Sequence, residues 1–144
     1  MGLQTYIPEL PHDTSLEGRT VLVTGGTNGI GFEAARQFLT LKVPRIIITA
    51  RNAARGAESV RLLRADPEVA KHNPNATIDV FDLDLDDYKS VIKFCDQVRK
   101  DAPNLDVLVC NAGMAQMAFK LSITGHEQIM QGKCLPLTIS PKLY

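Results

Sequence analysis

The chain has 144 residues, of which 44% are apolar, so it can form one domain with a hydrophobic core and is not disordered by composition. Sixteen basic residues balance sixteen acidic ones, and charge therefore gives no reason to expect nucleic acid or an anionic membrane as a partner. The sequence shows no secretory signal and no apolar run near the roughly 20 residues of a membrane span. Its three cysteines lack the spacing of a zinc site or a disulfide framework. We therefore expect a cytoplasmic protein with reduced thiols.

The first part of the chain predicts an arm followed by a strand and a helix. Residues 1–18 show no periodic pattern and are predicted to be an N-terminal arm. The apolar run 20–24 (Thr-Val-Leu-Val-Thr) predicts a buried strand that stops at a Gly-Gly turn. A helix that closes near Pro44 is predicted next. Its expected apolar face consists of Ile30, Ala34, Phe38 and Leu41.

A second strand and helix follow. The run 45–50 (Arg-Ile-Ile-Ile-Thr-Ala) predicts another buried strand. Asn52 is a plausible N-cap for a helix that continues to about Arg64. The segment 66–75 contains two prolines and is predicted to be a loop.

The remaining elements repeat the alternation of strand and helix. Residues 77–85 predict a third strand, and Leu105–Cys110 predict a fourth. Between them lies a helix whose apolar face is formed by Val91, Phe94, Cys95 and Val98. Short strands that alternate with helices indicate right-handed βαβ units. We therefore predict a doubly wound α/β fold with a parallel sheet.

A glycine-rich segment, 24–31 (Thr-Gly-Gly-Thr-Asn-Gly-Ile-Gly), lies between the first strand and the first helix. Gly25 permits a tight turn, Gly29 lets the backbone approach a pyrophosphate, and Gly31 lets helix and strand pack closely. Free N–H groups at the helix start would face the anion. The alternative is a turn that only permits packing. The candidate cofactor-binding residues in this segment are Gly25, Thr27, Asn28, Gly29, Ile30 and Gly31.

The pattern Thr-Gly-x-x-x-Gly-Ile-Gly resembles the short-chain dehydrogenases/reductases rather than the Gly-x-Gly-x-x-Gly of other Rossmann proteins. Asn111-Ala112-Gly113, after the fourth predicted strand, matches the Asn-Ala-Gly element of that family. The resemblance covers 19–131 and implies a Rossmann-type nucleotide-binding domain there. It also implies hydride transfer between a nicotinamide cofactor and a small-molecule alcohol or carbonyl compound. Asn111, Ala112 and Gly113 would then bind the cofactor, with Asn111 lining the floor of the ribose and nicotinamide region.

The end of the second strand bears on the choice of cofactor. An NAD-specific Rossmann site usually places an acidic residue there to bind the ribose 2′-hydroxyl. This chain has Arg51, a cation that would pair with a 2′-phosphate, and we therefore expect NADP(H) rather than NAD(H). The alternative is that Arg51 is only a solvated residue at a helix start.

The family resemblance also implies an Asp after the third strand that contacts the adenine ring. Asp82, Asp84 and Asp86 compete for this role. We choose Asp84 because the Asp84-Leu85 pair ahead of a helix looks most like that of the family. The other two would then be helix N-terminal charges, stabilised by the macrodipole.

The catalytic set implied by the family is an Asn, a Ser and a Tyr-x-x-x-Lys pair. The Lys lowers the pKa of the Tyr so that it can exchange a proton near neutral pH. Residues 122–131 resemble the helix that leads to the Asn, but Gly132 and Lys133 stand where Val-Asn is expected. Residues 132–144 match nothing in the family, and none of the three tyrosines has the required Lys. We therefore assign no catalytic residue, expect no turnover from this chain alone, and regard a mis-spliced or truncated reading frame as one hypothesis for the tail.

The sheet is accordingly expected to be truncated after its fourth strand. In the strand order 3-2-1-4, the run 105–110 would form an edge, and its unpaired backbone groups would invite another chain. Self-association is therefore expected. The alternatives to an oxidoreductase are a catalytically inactive NADP-binding fragment and an interaction module that pairs through this fourth strand.

Overall fold

The computed structural model describes residues 11, 13–113 and 118–131. The predicted arm, 1–18, is thus described only in part. The unmatched tail, 132–144, lies outside the described residues, together with the prediction made for it.

Four parallel strands form one sheet in the order β3-β2-β1-β4, which confirms the predicted doubly wound, Rossmann-type α/β fold. The strands are β1 (Thr20–Val23), β2 (Arg45–Ala50), β3 (Thr77–Asp82) and β4 (Val107–Val109). The helices are α1 (Gly29–Thr40), α2 (Ala53–Ala65), α3 (Pro67–His72) and α4 (Tyr88–Asp101). In the part of the chain that is described, no helix is both long and apolar enough to cross a bilayer.

The sheet separates two hydrophobic clusters because successive side chains of a strand point to opposite faces. One cluster packs the sheet against α1, α2 and α3, and includes Val21, Ile46 and Leu63, all fully buried. The other packs it against α4, whose buried face is formed as predicted by Val91, Phe94, Cys95 and Val98. The apolar pattern of the strands therefore accounts for helices on both sides.

The predicted apolar face of α1 is wrong by about one residue. The residues that α1 buries are Gly31, Ala35 and Leu39, whereas Ile30 is 83% exposed. Ala35 and Leu39 pack in the core cluster against the sheet, and this contact sets the rotation of the helix. Phe38 is only partly buried at the edge of the cluster.

The predicted loop 66–75 is also wrong, because it contains α3. The Asp66 carboxylate caps this helix by accepting hydrogen bonds from the N–H groups of Glu68 at 3.0 Å and Val69 at 3.1 Å. Pro67 occupies the first turn, where a missing N–H costs nothing. The Asp-Pro pair therefore starts a helix here.

Three strands are shorter than predicted. β1 ends at Val23 rather than at Thr24, β3 ends at Asp82 rather than at residue 85, and β4 spans only Val107–Val109 rather than 105–110. β3 ends level with Ala50, the last residue of β2, and β4 pairs only with Val21–Val23 of β1. The apolar residues beyond these points pack in loops.

The segment 122–131 was predicted to be helical throughout, but only 128–131 is helical in the described residues. Leu121 and Glu127 form an antiparallel bridge across a turn, in which Gly125 has a φ of +83°. The Ser122 hydroxyl donates a hydrogen bond to Gln131 at 2.7 Å and thereby holds the turn against the helix. The left-handed backbone conformation of Gly125 interrupts the predicted helix.

Candidate cofactor site

A cavity of about 960 Å³ lies at the carboxyl ends of the strands. It is lined by the loop after β1, the end of β2 with the start of α2, the loop after β3, and the loop after β4. Of the predicted cofactor-binding residues, all but Gly29 line this cavity: Gly25, Thr27, Asn28, Ile30, Gly31, Arg51, Asp84, Asn111, Ala112 and Gly113. The fold thus brings together residues from four separate stretches of the chain.

The start of α1 leaves backbone donors available. Asn28 is the N-cap, and its side chain accepts a hydrogen bond from the Gly29 N–H at 2.8 Å. The Phe32 N–H donates to the Asn28 carbonyl at 3.2 Å, which is the first bond of the helix. No hydrogen bond joins the N–H of Ile30 or Gly31 to another residue that the structure describes. These two groups can therefore donate to an anion.

The glycines of the loop have different roles. Gly25 has a φ of +67°, and a Cβ there would lie 2.9 Å from the Cα of Ala112. A Cβ at Gly31 would overlap the Asn111 side chain and the Gly25 carbonyl, so Gly31 allows the helix to pack on neighbouring loops rather than on a strand as predicted. Gly29 has a φ of +52° with no atom near its Cβ position, and it leaves open space.

Thr24 and Asn111 connect the loops after β1 and β4. The Thr24 hydroxyl donates to the Val109 carbonyl at 3.2 Å and accepts from the backbone N–H of Asn111 and of Ala112, each at 3.0 Å. The Asn111 amide donates to the carbonyls of Thr24 at 3.0 Å and Gly25 at 3.3 Å. Asn111 thus shapes the cavity by holding the glycine loop. Its amide donors are used within the protein.

Two arginines line the side of the cavity formed by β2 and α2. Arg51 follows β2 directly, and Arg55 lies in the first turn of α2. The Asn52 side chain caps α2 as predicted, by accepting a hydrogen bond from the Arg55 N–H at 3.1 Å. Within the described ranges neither guanidinium forms a salt bridge. Arg55 was not among the predicted cofactor-binding residues, although its spacing of four residues from Arg51 was a usable signal.

Acidic residues line the side of the cavity after β3. Asp84 and Asp86 border the cavity, whereas Asp82 does not. Asp84 accepts a hydrogen bond from the Asp86 N–H at 3.0 Å, and its own N–H donates to the Ser90 hydroxyl at 2.8 Å. One oxygen of Asp86 accepts from the Gln128 amide at 2.6 Å, while the other is buried without a partner among the described residues. Gln128, which sequence reasoning missed, closes this side.

Neither metal nor thiol chemistry is indicated by the described part of the chain. Residues 13–113 and 118–131 contain no group of three His, Cys, Asp or Glu side chains that could hold a metal ion. Cys95 is buried and Cys110 is exposed. Desolvation raises the pKa of the Cys110 thiol, which keeps it protonated and weakly nucleophilic near neutral pH.

The model of the short chain dehydrogenase family matches residues 19–133. The chain therefore belongs to this family, as its motifs predicted. The short chain dehydrogenase sor7 of Hypocrea jecorina is 48% identical over 142 residues, which are 98% of this chain and 40% of that protein. The short chain dehydrogenase macD of Penicillium terrestre is 38% identical and is aligned with 90% of this chain and 39% of its own length. The chain thus spans about 40% of the length of these curated relatives.

Solved structures share the fold. The Pseudomonas aeruginosa RhlG/NADP active-site complex superposes with a TM-score of 0.67 and 25% identity, covering 90% of this chain and 48% of that one. Menthone neomenthol reductase from Mentha piperita has a TM-score of 0.55 and 31% identity, covering 67% of this chain and 32% of that one.

Proposed function

We propose that this chain binds NADP(H) in the cavity and forms the cofactor-binding part of an oxidoreductase. The reaction is hydride transfer between the nicotinamide and a small-molecule alcohol or carbonyl compound. One observation carries the proposal. Arg51 and Arg55, which form no salt bridge within the described residues, line the same cavity as the free N–H groups at the start of α1. A solved family member in complex with NADP supports the choice of cofactor.

The residues present fit a dinucleotide with a 2′-phosphate. The N–H groups of Ile30 and Gly31, which line the cavity, would hold the pyrophosphate. Arg51 and Arg55 would hold the 2′-phosphate through charge-assisted hydrogen bonds. When bound, the nicotinamide supplies or accepts the hydride.

The adenine and nicotinamide ends of the dinucleotide would contact two other parts of the cavity. Asp84 would accept a hydrogen bond from the adenine amino group, since this carboxylate borders the cavity. The 111–113 loop would lie against the ribose and nicotinamide. We assign these contacts within a nucleotide-binding unit that spans 19–131.

Calorimetric titration of the folded chain with NADPH and NADH tests the proposal. Two arginines facing a 2′-phosphate should give NADPH an affinity at least about tenfold higher than NADH, since charge-assisted hydrogen bonds contribute about 1.5–3 kcal/mol. No heat with either NADP⁺ or NADPH would refute the proposal. Equal affinities would refute only the preference for the phosphorylated cofactor.

Turnover is a separate question from binding. Oxidation of NADPH with a panel of ketones, followed at the absorbance of the reduced nicotinamide, distinguishes an active oxidoreductase from a chain that only binds the cofactor. Binding with no turnover would favour the inactive NADP-binding fragment.

One observation favours a second property, self-association through β4. Among the described strands β4 lies at the end of the sheet, with one neighbour, and its three residues are apolar and only partly buried. Unpaired backbone groups on such an edge can accept a strand from a second copy. Sedimentation of the purified chain tests this, and a monodisperse monomer at all concentrations would refute it.

A further inference from the structure

Two buried hydroxyl groups contact the glycine loop: that of Thr49, which also lines the cavity, and that of Ser59, which does not. We call residues 24–28, between β1 and α1, the phosphate loop. Thr49, near the end of β2, accepts a hydrogen bond from the Gly25 N–H at 2.9 Å. Ser59, in α2, donates toward the Thr27 carbonyl at 3.3 Å and the Arg55 carbonyl at 2.9 Å. Both side chains belong to residues that are only 3% exposed.

These bonds act on two residues of the phosphate loop. Gly25 has a left-handed φ of +67°, and its backbone N–H donates to the Thr49 hydroxyl. Thr27 directly precedes the N-cap, and its carbonyl accepts from the Ser59 hydroxyl. The two hydrogen bonds favour one loop conformation over others.

The same two elements carry the candidate 2′-phosphate residues. Arg51 lies two positions after Thr49 on the chain, and the Arg55 carbonyl shares the Ser59 hydroxyl with Thr27. Ser59 therefore joins the phosphate loop to the backbone of α2, while no hydrogen bond of Thr49 or Ser59 reaches a guanidinium group in the described residues.

We propose that Thr49 and Ser59 are positioning residues that hold the phosphate loop in the conformation that receives the pyrophosphate. The inference rests on the proposed binding of NADP(H). It goes beyond that proposal because it assigns both hydroxyls a role through the loop backbone, although Thr49 also lines the cavity. The effect of each is transmitted through the backbone of Gly25 or Thr27.

The test compares two ligands across matched variants. Thr49→Val keeps the volume and removes the hydroxyl, Thr49→Ser keeps the hydroxyl, and Ser59→Ala removes the second contact. Thr40→Val is the control, because the Thr40 hydroxyl bonds only the Gln37 carbonyl at the far end of α1. The ligands are NADPH and adenosine 2′-monophosphate, which carries the 2′-phosphate and adenine without the pyrophosphate.

Thr49→Val and Ser59→Ala should each weaken NADPH binding about fivefold or more, and change adenosine 2′-monophosphate binding by less than about twofold. Thr49→Ser and Thr40→Val should bind both ligands like the parent chain. Equal losses for both ligands, or no loss of NADPH affinity, would overturn the inference. Failure of the parent chain to bind NADPH would instead count against the proposed function.

Amide hydrogen exchange on the parent chain gives a second measurement that does not depend on any variant folding. The Gly25 N–H should exchange slowly because Thr49 accepts its hydrogen bond, whereas the Ile30 N–H should exchange quickly. Exchange of Gly25 as fast as that of Ile30 would show that Thr49 does not hold the loop.

Discussion

Asn111 donates two hydrogen bonds to Thr24 although the two residues are 87 positions apart in the chain. The Asn111 backbone N–H donates to the Thr24 hydroxyl at 3.0 Å, and the Asn111 side chain donates to the Thr24 carbonyl at 3.0 Å. The pair joins the turn after β1 to the turn after β4. Together with the bonds from Thr24 to Val109, from Ala112 to Thr24 and from Asn111 to Gly25, this pair fixes one edge of the cavity.

Replacing Asn111 by Ala should lower the free energy of unfolding by about 1–3 kcal/mol, because it removes the amide donors to two loop carbonyls. Urea denaturation of the parent and variant chains measures the change. Asn75→Ala is a matched control on an exposed loop position and should change stability by less than about 0.5 kcal/mol. Equal effects of the two substitutions would contradict the role of the pair.

Gly31→Ala should destabilise the chain, because its Cβ would overlap backbone and side-chain atoms of Gly25 and Asn111. Overpacking of this kind costs about 1–3 kcal/mol. Gly113→Ala is the comparison, since a Cβ there would meet nothing closer than 4.0 Å. Thermal unfolding of both variants checks the prediction, and a Gly31→Ala chain as stable as Gly113→Ala would disprove it.

Arg51→Ala and Arg55→Ala should each weaken NADPH binding by about tenfold and leave NADH binding nearly unchanged, because only NADPH carries the 2′-phosphate. Arg61→Ala, also on α2, provides the control. Arg61 is exposed, forms a salt bridge with Glu58, and does not line the cavity. If Arg55→Ala behaved like Arg61→Ala, only Arg51 would remain a candidate for the 2′-phosphate.

Glu33 should titrate well below the ordinary pKa of a glutamate. Its hydrogen bonds from Arg36, at 2.7 and 2.9 Å, and from Gln37 lower its pKa from 4.5 to about 2. A depressed folded-state pKa gives stability that is present above pH 4.5 and lost as the pH falls toward 2. Because the Glu33 side chain is 54% exposed, solvent screening limits the contribution to under about 1 kcal/mol.

Carbon-detected titration of the Glu33 carboxyl measures this pKa directly. The Glu33→Gln variant cannot ionise at this position and should lose less stability than the parent between pH 4.5 and pH 2. A pKa near 4.5 in the folded chain would contradict the hydrogen-bonded geometry.

Hydrophobic periodicity was enough to predict the sheet and most helices, because burial on one or both faces leaves a clear pattern. β2 matched its predicted bounds, since its run of isoleucines is buried on both sides. The pattern failed for α3. Pro67 indicated a loop by composition, but it is the first residue of this helix and directly follows the N-cap Asp66. It also failed at strand ends, which depend on the length of the neighbouring strand.

The candidate site was predictable where a local pattern specifies the chemistry. The spacing of the glycines, the Asn-Ala-Gly element and Arg51 all belong to strand ends that can be located from the sequence. Thr49, Ser59 and Gln128 could not be identified in this way. Their partners lie in other segments, and a single hydroxyl or amide has no sequence pattern that indicates its contact.

The parallel pairing of β1 with β4 also affects how the chain acquires its binding site during synthesis. The glycine loop leaves the ribosome early, but its partner strand, Val107–Val109, follows only after three helix-bearing crossovers have been made. Closing so long a loop is entropically costly and makes this pairing slow. A nascent chain therefore lacks this edge of the cavity until the 111–113 turn has emerged, and a ligand that needs the edge can bind only after β4 has paired with β1.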